Sequence, residues 1–191
     1  TGTSSKKLDI SREKDTKVIS EKILKFLKPG DHIYLFGDIG IGKTTFVKYI
    51  INFLQKKYNE KKTEIPSPTF NIVNEYKVNK FKILHYDLFR VKDKRELENI
   101  GFSVNNKEFL IFVEWPELID MKSSDKIILN FKYEENLKKR SLIITSKTNR
   151  KLINEFKIKI PKKLPAMASM LVGYFSYDII RYIEKIPDKC K

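Results

Sequence analysis

Gly37-Asp38-Ile39-Gly40-Ile41-Gly42-Lys43-Thr44 decides how this chain is read. The eight residues match G-x-x-x-x-G-K-[ST], the phosphate-binding P-loop, at every position. The flanks fit as well. Ile33-Tyr34-Leu35-Phe36 is a short apolar, β-prone run just before the loop. After it, residues 45–57 carry Phe46, Tyr49, Ile50, Phe53 and Leu54 at helical spacing. A strand feeding a glycine loop that opens a helix is the geometry the motif needs. The glycines let backbone N–H groups turn inward around an anion, and the helix N-terminus adds partial positive charge. Lys43 can then reach the β- and γ-phosphates, and the Thr44 hydroxyl can ligate magnesium. Gly37, Asp38, Gly40, Gly42, Lys43, Thr44 and Thr45 are the expected contacts to a nucleoside triphosphate.

At 191 residues the chain has room for one domain, or one domain with an appendage. No uninterrupted apolar run approaches the roughly 18–20 residues of a membrane span. The opening residues are polar and lack the apolar centre of a signal peptide, so 1–10 reads as a disordered lead. Cys190 is the only cysteine, which excludes a disulfide framework and a cysteine metal site and makes a reducing cytoplasm the expected compartment. The net charge of +15 suits a tRNA-handling surface or an acidic partner. Only six of the 39 basic residues are arginine, however, and the lysines are spread along the chain, which compositional drift would also produce.

Beyond the P-loop unit, periodicity predicts a helix over 11–27, ended by Pro29-Gly30. It predicts strands over 70–78 and 81–86, joined at Asn79-Lys80, and a short helix over 92–100 closed by Gly101. Residues 109–113 read as a buried strand, 126–133 and 141–145 as two more strands, and 147–156 as a last helix. Mixed strands and helices around a P-loop imply a three-layer α/β fold with a mixed, partly antiparallel central sheet. The domain is expected to span 11–160, with 161–191 a linker and tail.

Three further segments bear on chemistry. Ser67-Pro68-Thr69-Phe70 is a switch candidate, with Thr69 able to reach a γ-phosphate or its metal; a plain Ser/Thr turn beside prolines is the alternative. His85-Tyr86-Asp87-Leu88-Phe89-Arg90 closes a strand where P-loop enzymes place a magnesium-side carboxylate, which points to Asp87. His85 reads as a packed or surface histidine rather than a base, and Arg90 as a partner for Glu96 or Glu98. Glu114, in Phe109-Leu-Ile-Phe-Val-Glu-Trp-Pro-Glu117, ends a buried strand at the edge where open α/β sheets bind ligands. It can serve the metal's water shell or orient an attacking water, and Trp115 can pack beside the nucleotide or in the core.

Taken together these segments resemble the TsaE (YjeE) family of bacterial ATPases. The family pattern, a GD-x-G-x-GKT P-loop followed by S-P-T-F, N-E-Y, H-x-D-L-[YF]-R and E-W-P, stands here at 37–44, 67–70, 74–76, 85–90 and 114–116. The resemblance covers roughly 8–156. It implies ATP and Mg2+ as ligands, weak hydrolysis by the chain alone, and docking on a TsaB–TsaD heterodimer that places threonylcarbamoyl on tRNA adenosine. Hydrolysis would reset that complex between turnovers, and tRNA would be met only through it. It further implies that Lys43 and Thr44 hold phosphate and metal, that Thr69 is the switch threonine, and that Asp87 and Glu114 are the two acids. Thr44, Asp87 and Glu114 form the implied metal set, while Glu75 and Trp115 line or support the site. The aromatic stripe after the P-loop, Phe46 and Tyr49 included, is expected in the core.

Residues 171–187 do not fit this family. They resemble a stretch near the N-terminus of anthranilate synthase component I, whose catalytic domain is missing, so that synthesis is excluded as the activity. A small-molecule kinase and a binding module that needs no hydrolysis are the rival functions. No arginine-rich lid segment supports the kinase.

Overall fold

The computed structural model describes residues 4–103, 106–120, 126–135 and 137–156. Residues 161–191, with the anthranilate-synthase-like stretch, lie outside the described residues. The elements run β1 (Ser4–Asp9), α1 (Glu13–Leu24), β2 (His32–Phe36), α2 (Lys43–Lys57), β3 (Val73–Val78), β4 (Phe81–Asp87), α3 (Lys94–Asn99) and β5 (Phe109–Glu114). A 3-10 turn (Pro116–Leu118), β6 (Lys126–Glu134), β7 (Lys139–Ser146) and α4 (Arg150–Glu155) follow.

Seven strands form one sheet in the order β1-β7-β6-β2-β5-β4-β3. The middle four, β6, β2, β5 and β4, are mutually parallel, while β3 and β7 pair antiparallel with their neighbours. Parallel strands are covered on both faces, which is why 33–36 and 109–113 read as continuous apolar runs rather than alternating ones. Along the strands the side chains alternate between two cores. One face holds Ile33, Leu35, Leu110, Phe112 and Leu129 against Ile19 and Ile23 of α1, the buried stripe of α2, and Leu152 and Ile153 of α4. The other holds Tyr34, Tyr86, Ile111 and Val113 against Leu97 of α3 and Ile119. These two layers of helix around one mixed sheet are the three-layer fold expected.

Three expectations change. Residues 4–9 are not a disordered lead: β1 pairs with β7 from Ser4↔Ser146 to Asp9↔Ser141, and Ile10 is buried. The sequence Ser-Ser-Lys-Lys-Leu-Asp conceals this because it is an edge strand, where lysines are what keeps the outer rim from pairing further. Strand β3 starts at Val73 rather than 70, since residues 68–71 form a turn that ends with the Ile72 N–H donating to the Pro68 carbonyl at 2.6 Å. The core stripe of α2 is Phe46, Val47, Ile50, Ile51 and Leu54. Tyr49 is rotated out of it, and its hydroxyl donates to the Glu13 carboxylate at the start of α1. Tyr49 and Phe53 are only half-buried.

The hairpin at Asn79-Lys80 and the helix end at Gly101 stand where expected. Asn79 takes φ 51 in the two-residue hairpin between β3 and β4. The Asp93 side chain caps α3 through the N–H groups of Arg95 and Glu96, and Gly101 at φ 71 follows its end.

Candidate nucleotide-binding site

The C-terminal ends of β2, β5 and β4 lie side by side. Leu35 is in register with Glu114, and Glu114 with Asp87. That puts the P-loop and both carboxylates at one edge of the sheet, on the face that carries α2. Glu114 and Asp87 are each 3% exposed, so both are held by protein atoms rather than by bulk water.

Gly42 precedes α2 at φ 116 with no side-chain cap, which leaves the first N–H groups of the helix open to an anion. The Lys43 ammonium donates to the carbonyls of Gly37 at 2.6 Å and Asp38 at 2.9 Å, across the loop it belongs to. It also sits 4.0 Å from the centre of the Trp115 ring. Burial pushes the Lys43 ammonium below its ordinary range, against the pull of Glu114, Asp87, Glu117 and Asp38. Gly40, Asp38 and Ile39 are exposed at the loop tip, and Thr45 is half-buried in the first turn of α2.

Glu114 is held from two sides. Its Oε1 accepts from the Thr44 hydroxyl at 2.8 Å and faces His85 Nε2 at 2.8 Å. Asp87 is held by the loop after α2: its Oδ2 accepts from Thr69 at 2.5 Å and from Ser67 at 3.4 Å, and its Oδ1 from the Phe89 N–H at 3.0 Å. The two hydroxyls of that loop lie 2.8 Å apart. Thus Thr44 and Glu114 meet directly, while Asp87 is joined to the switch candidate. Thr44, Glu114 and Asp87 are hard oxygen donors of the kind Mg2+ takes. Among the described residues no group of three or more His, Cys, Asp or Glu could hold a metal ion by itself. Thr44, Glu114 and Asp87 would leave most of the shell of such an ion to phosphate and water.

Backbone strain collects here. Trp115 takes φ 58, and its N–H donates to the Leu35 carbonyl at 3.3 Å. Its ring lies 4.9 Å from that of Phe89. Ile72, a β-branched residue, takes φ 66 while its carbonyl accepts from the Asp87 N–H. Left-handed backbone at bulky side chains costs on the order of 1–3 kcal/mol and persists only where the surroundings enforce it.

Glu75 does not reach this cluster. It is exposed on β3 and registers with Leu84, whose face packs on the opposite core. Arg90 pairs with neither Glu96 nor Glu98 among the described residues; its guanidinium lies 5.8 Å from the centre of the exposed Phe70 ring. Arg140 was missed by the motif reading. From β7 it donates to the Ile41 carbonyl at 3.3 Å and the Ser11 carbonyl at 3.0 Å, bracing the P-loop from its far side. Its one available signal is rarity, one of six arginines among 39 basic residues. A separate concavity of about 940 Å³ between α1 and α2 is lined by Lys17, Lys25, Lys56, Lys57 and Lys62 with Glu21 and Glu60; it shares no residue with the P-loop.

The family model for threonylcarbamoyl adenosine biosynthesis protein TsaE matches residues 10–142. The chain belongs to the TsaE family. That family is involved in tRNA threonylcarbamoyladenosine biosynthesis. A TsaE of Rickettsia felis is 36% identical over 148 residues, which is 77% of this chain and 84% of that one. A TsaE of Aquifex aeolicus is 40% identical over 112 residues, 59% of this chain and 77% of its own. Among solved structures, Bacillus subtilis YdiB superimposes with a TM-score of 0.60 at 24% identity, covering 81% of this chain and 95% of that one, which supports the shared fold. The TsaE match ends at residue 142, well before the tail. Among the described residues no helix is long and apolar enough to cross a membrane.

Proposed function

We propose that this TsaE-family chain is an ATPase that serves tRNA threonylcarbamoylation by resetting a TsaB–TsaD-like heterodimer between turnovers. The observation that carries the reading is the meeting of Thr44 and Glu114 at the head of α2, beside Lys43 and within one sheet edge of Asp87. ATP phosphates would lie against the open N–H groups of residues 42–45, with Lys43 released from the Gly37 and Asp38 carbonyls to meet them. Thr44, Glu114 and Asp87 would hold Mg2+, which neutralises charge on the phosphates during hydrolysis. The buried carboxylates would orient water at the reacting end. Thr69 and Ser67, already bonded to Asp87, would couple the phosphate state to the loop that carries exposed Phe70, a surface for the partner. Contact with tRNA would come through that complex.

The test is threonylcarbamoylation of tRNA by the cognate TsaB–TsaD pair with ATP, with and without this chain. Conversion of a single round into many, lost with Lys43→Ala and with Glu114→Ala, is the expected result. Full stimulation by a Glu114→Ala chain that still binds ATP would favour a binding module. Unchanged turnover on adding the wild-type chain would refute the resetting role.

A further inference from the structure

His85 takes no part in the scheme above, yet its place is unusual. On β4, Ile83, His85 and Asp87 share the face toward α2. Ile83 lies in the apolar core and Asp87 at the site. His85, between them, is 0% exposed. Its Nε2 lies 2.8 Å from Glu114 Oε1, and its Nδ1 is buried without a partner. An ionised carboxylate oxygen only accepts, so Nε2–H is the donor to Glu114, while Nδ1 finds no partner. Unsatisfied buried polar atoms are uncommon because they are costly, and an aliphatic side chain at this position would avoid the penalty. The imidazole must therefore return something that leucine would not.

What it returns is the orientation of Glu114. Oε1 has two donors, Thr44 and His85, and among the described residues Oε2 accepts no hydrogen bond. If Thr44 turns its hydroxyl to a metal, one of the two donors leaves, and the remaining hold on the carboxylate is His85. We infer that His85 is a positioning residue: its Nε2–H fixes the Glu114 carboxylate so that the oxygen set for Mg2+ stays assembled after Thr44 turns away. This rests on the ATP–Mg2+ reading above.

The experiment is a Mg2+ titration of a fluorescent ATP analogue bound to the full chain, alongside binding of the same analogue in EDTA. Wild type, His85→Leu, His85→Gln and His85→Asn are compared, each also with Glu114→Gln. Outer hydrogen-bond partners of metal ligands are typically worth about 10–100-fold in metal affinity. His85→Leu should raise the half-saturating Mg2+ by about 10-fold or more. His85→Gln keeps an N–H at similar reach and should recover most of the loss. His85→Asn is too short and should not. Binding in EDTA should be the same for all, and on the Glu114→Gln background the His85 substitutions should add nothing. Should His85→Leu not accumulate folded, the Gln and Asn pair makes the same comparison, since both are amides of unequal reach. Wild-type Mg2+ dependence in His85→Leu or His85→Asn overturns the inference. So does a loss of EDTA binding shared by Gln and Asn, which would mark a merely structural residue. Absence of Mg2+-dependent binding by wild type defeats the ATP–Mg2+ reading itself, and the inference with it.

Discussion

Alanine at position 37 would place its Cβ 2.6 Å from the backbone oxygen of Phe131 and 2.9 Å from the Phe131 Cβ. Neither atom can swing aside, because Phe131 belongs to β6 next to β2 in the middle of the sheet and its ring packs edge-on to Phe46 at 6.0 Å. Gly37 also takes φ 138, outside what a side chain accepts readily. Backbone strain of about 1–3 kcal/mol and a forced core shift of similar size together give roughly 2–6 kcal/mol. At about 3 °C per kcal/mol for a chain of this size, the melting temperature should fall by roughly 6–18 °C. Gly40 is the internal control. It takes φ 75 in the same loop, but its added Cβ would find only the Tyr133 hydroxyl, 4.0 Å away. Gly40→Ala should cost only the conformational part, about 1–2 kcal/mol. The assay is thermal unfolding of both variants without nucleotide, followed by nucleotide binding at a temperature where both are folded. Phe131→Leu should not rescue Gly37→Ala, since the clash is with atoms that leucine also has. Equal destabilisation by the two glycine replacements, or a wild-type melting temperature for Gly37→Ala, would refute the close approach.

Three other outcomes are expected. Lys43 titrates lower in the fold than its ordinary 10.5, so between the two values the unfolded chain binds more protons and stability rises with pH. Lys43→Met should accordingly melt higher than wild type near neutral pH without nucleotide, with the gap closing as pH nears 10.5; a pH-independent gap would point elsewhere. Thr69→Val removes a donor 2.5 Å from Asp87 and should cost about 1.5–3 kcal/mol in denaturant unfolding, more than Ser67→Ala at 3.4 Å. The reverse order would contradict the assignment of Thr69 as the main partner. A chain beginning at Ser11 loses β1 and the cover over β7, and should melt several degrees lower; an unchanged midpoint would show that β1 contributes nothing.

Legibility from sequence tracked the strength of local pattern. The central strands β2 and β5 sit where continuous apolar runs placed them, because burial on both faces leaves no room for polar residues. The P-loop was legible because its three glycines all take the positive φ that the local motif requires. Strand β1 was not, since a lone edge strand buries little and its partner lies more than 130 residues away. Long range also hid Arg140, which acts on the P-loop from β7 across 99 residues. Tyr49 and Phe53 were placed in the core by spacing alone, but an aromatic at the border of a helical stripe can turn to a neighbouring helix, as Tyr49 does toward Glu13. Glu75 sits in a motif yet faces away, because strand alternation and not sequence proximity decides which face a side chain occupies.

The pairing of β1 with β7 also sets an order of events on the ribosome. Ser4 leaves the exit tunnel long before its partner Ser146 exists. Even β2 waits, because its two neighbours, β5 and β6, are both made later. At roughly 5–20 residues per second, the first strand stays unpaired for on the order of ten seconds. During that interval it is a short lysine-bearing segment rather than an apolar one. Such a segment can wait in water without seeking a wrong partner. The polar character that disguises β1 in the sequence thus suits the time it must spend alone during translation.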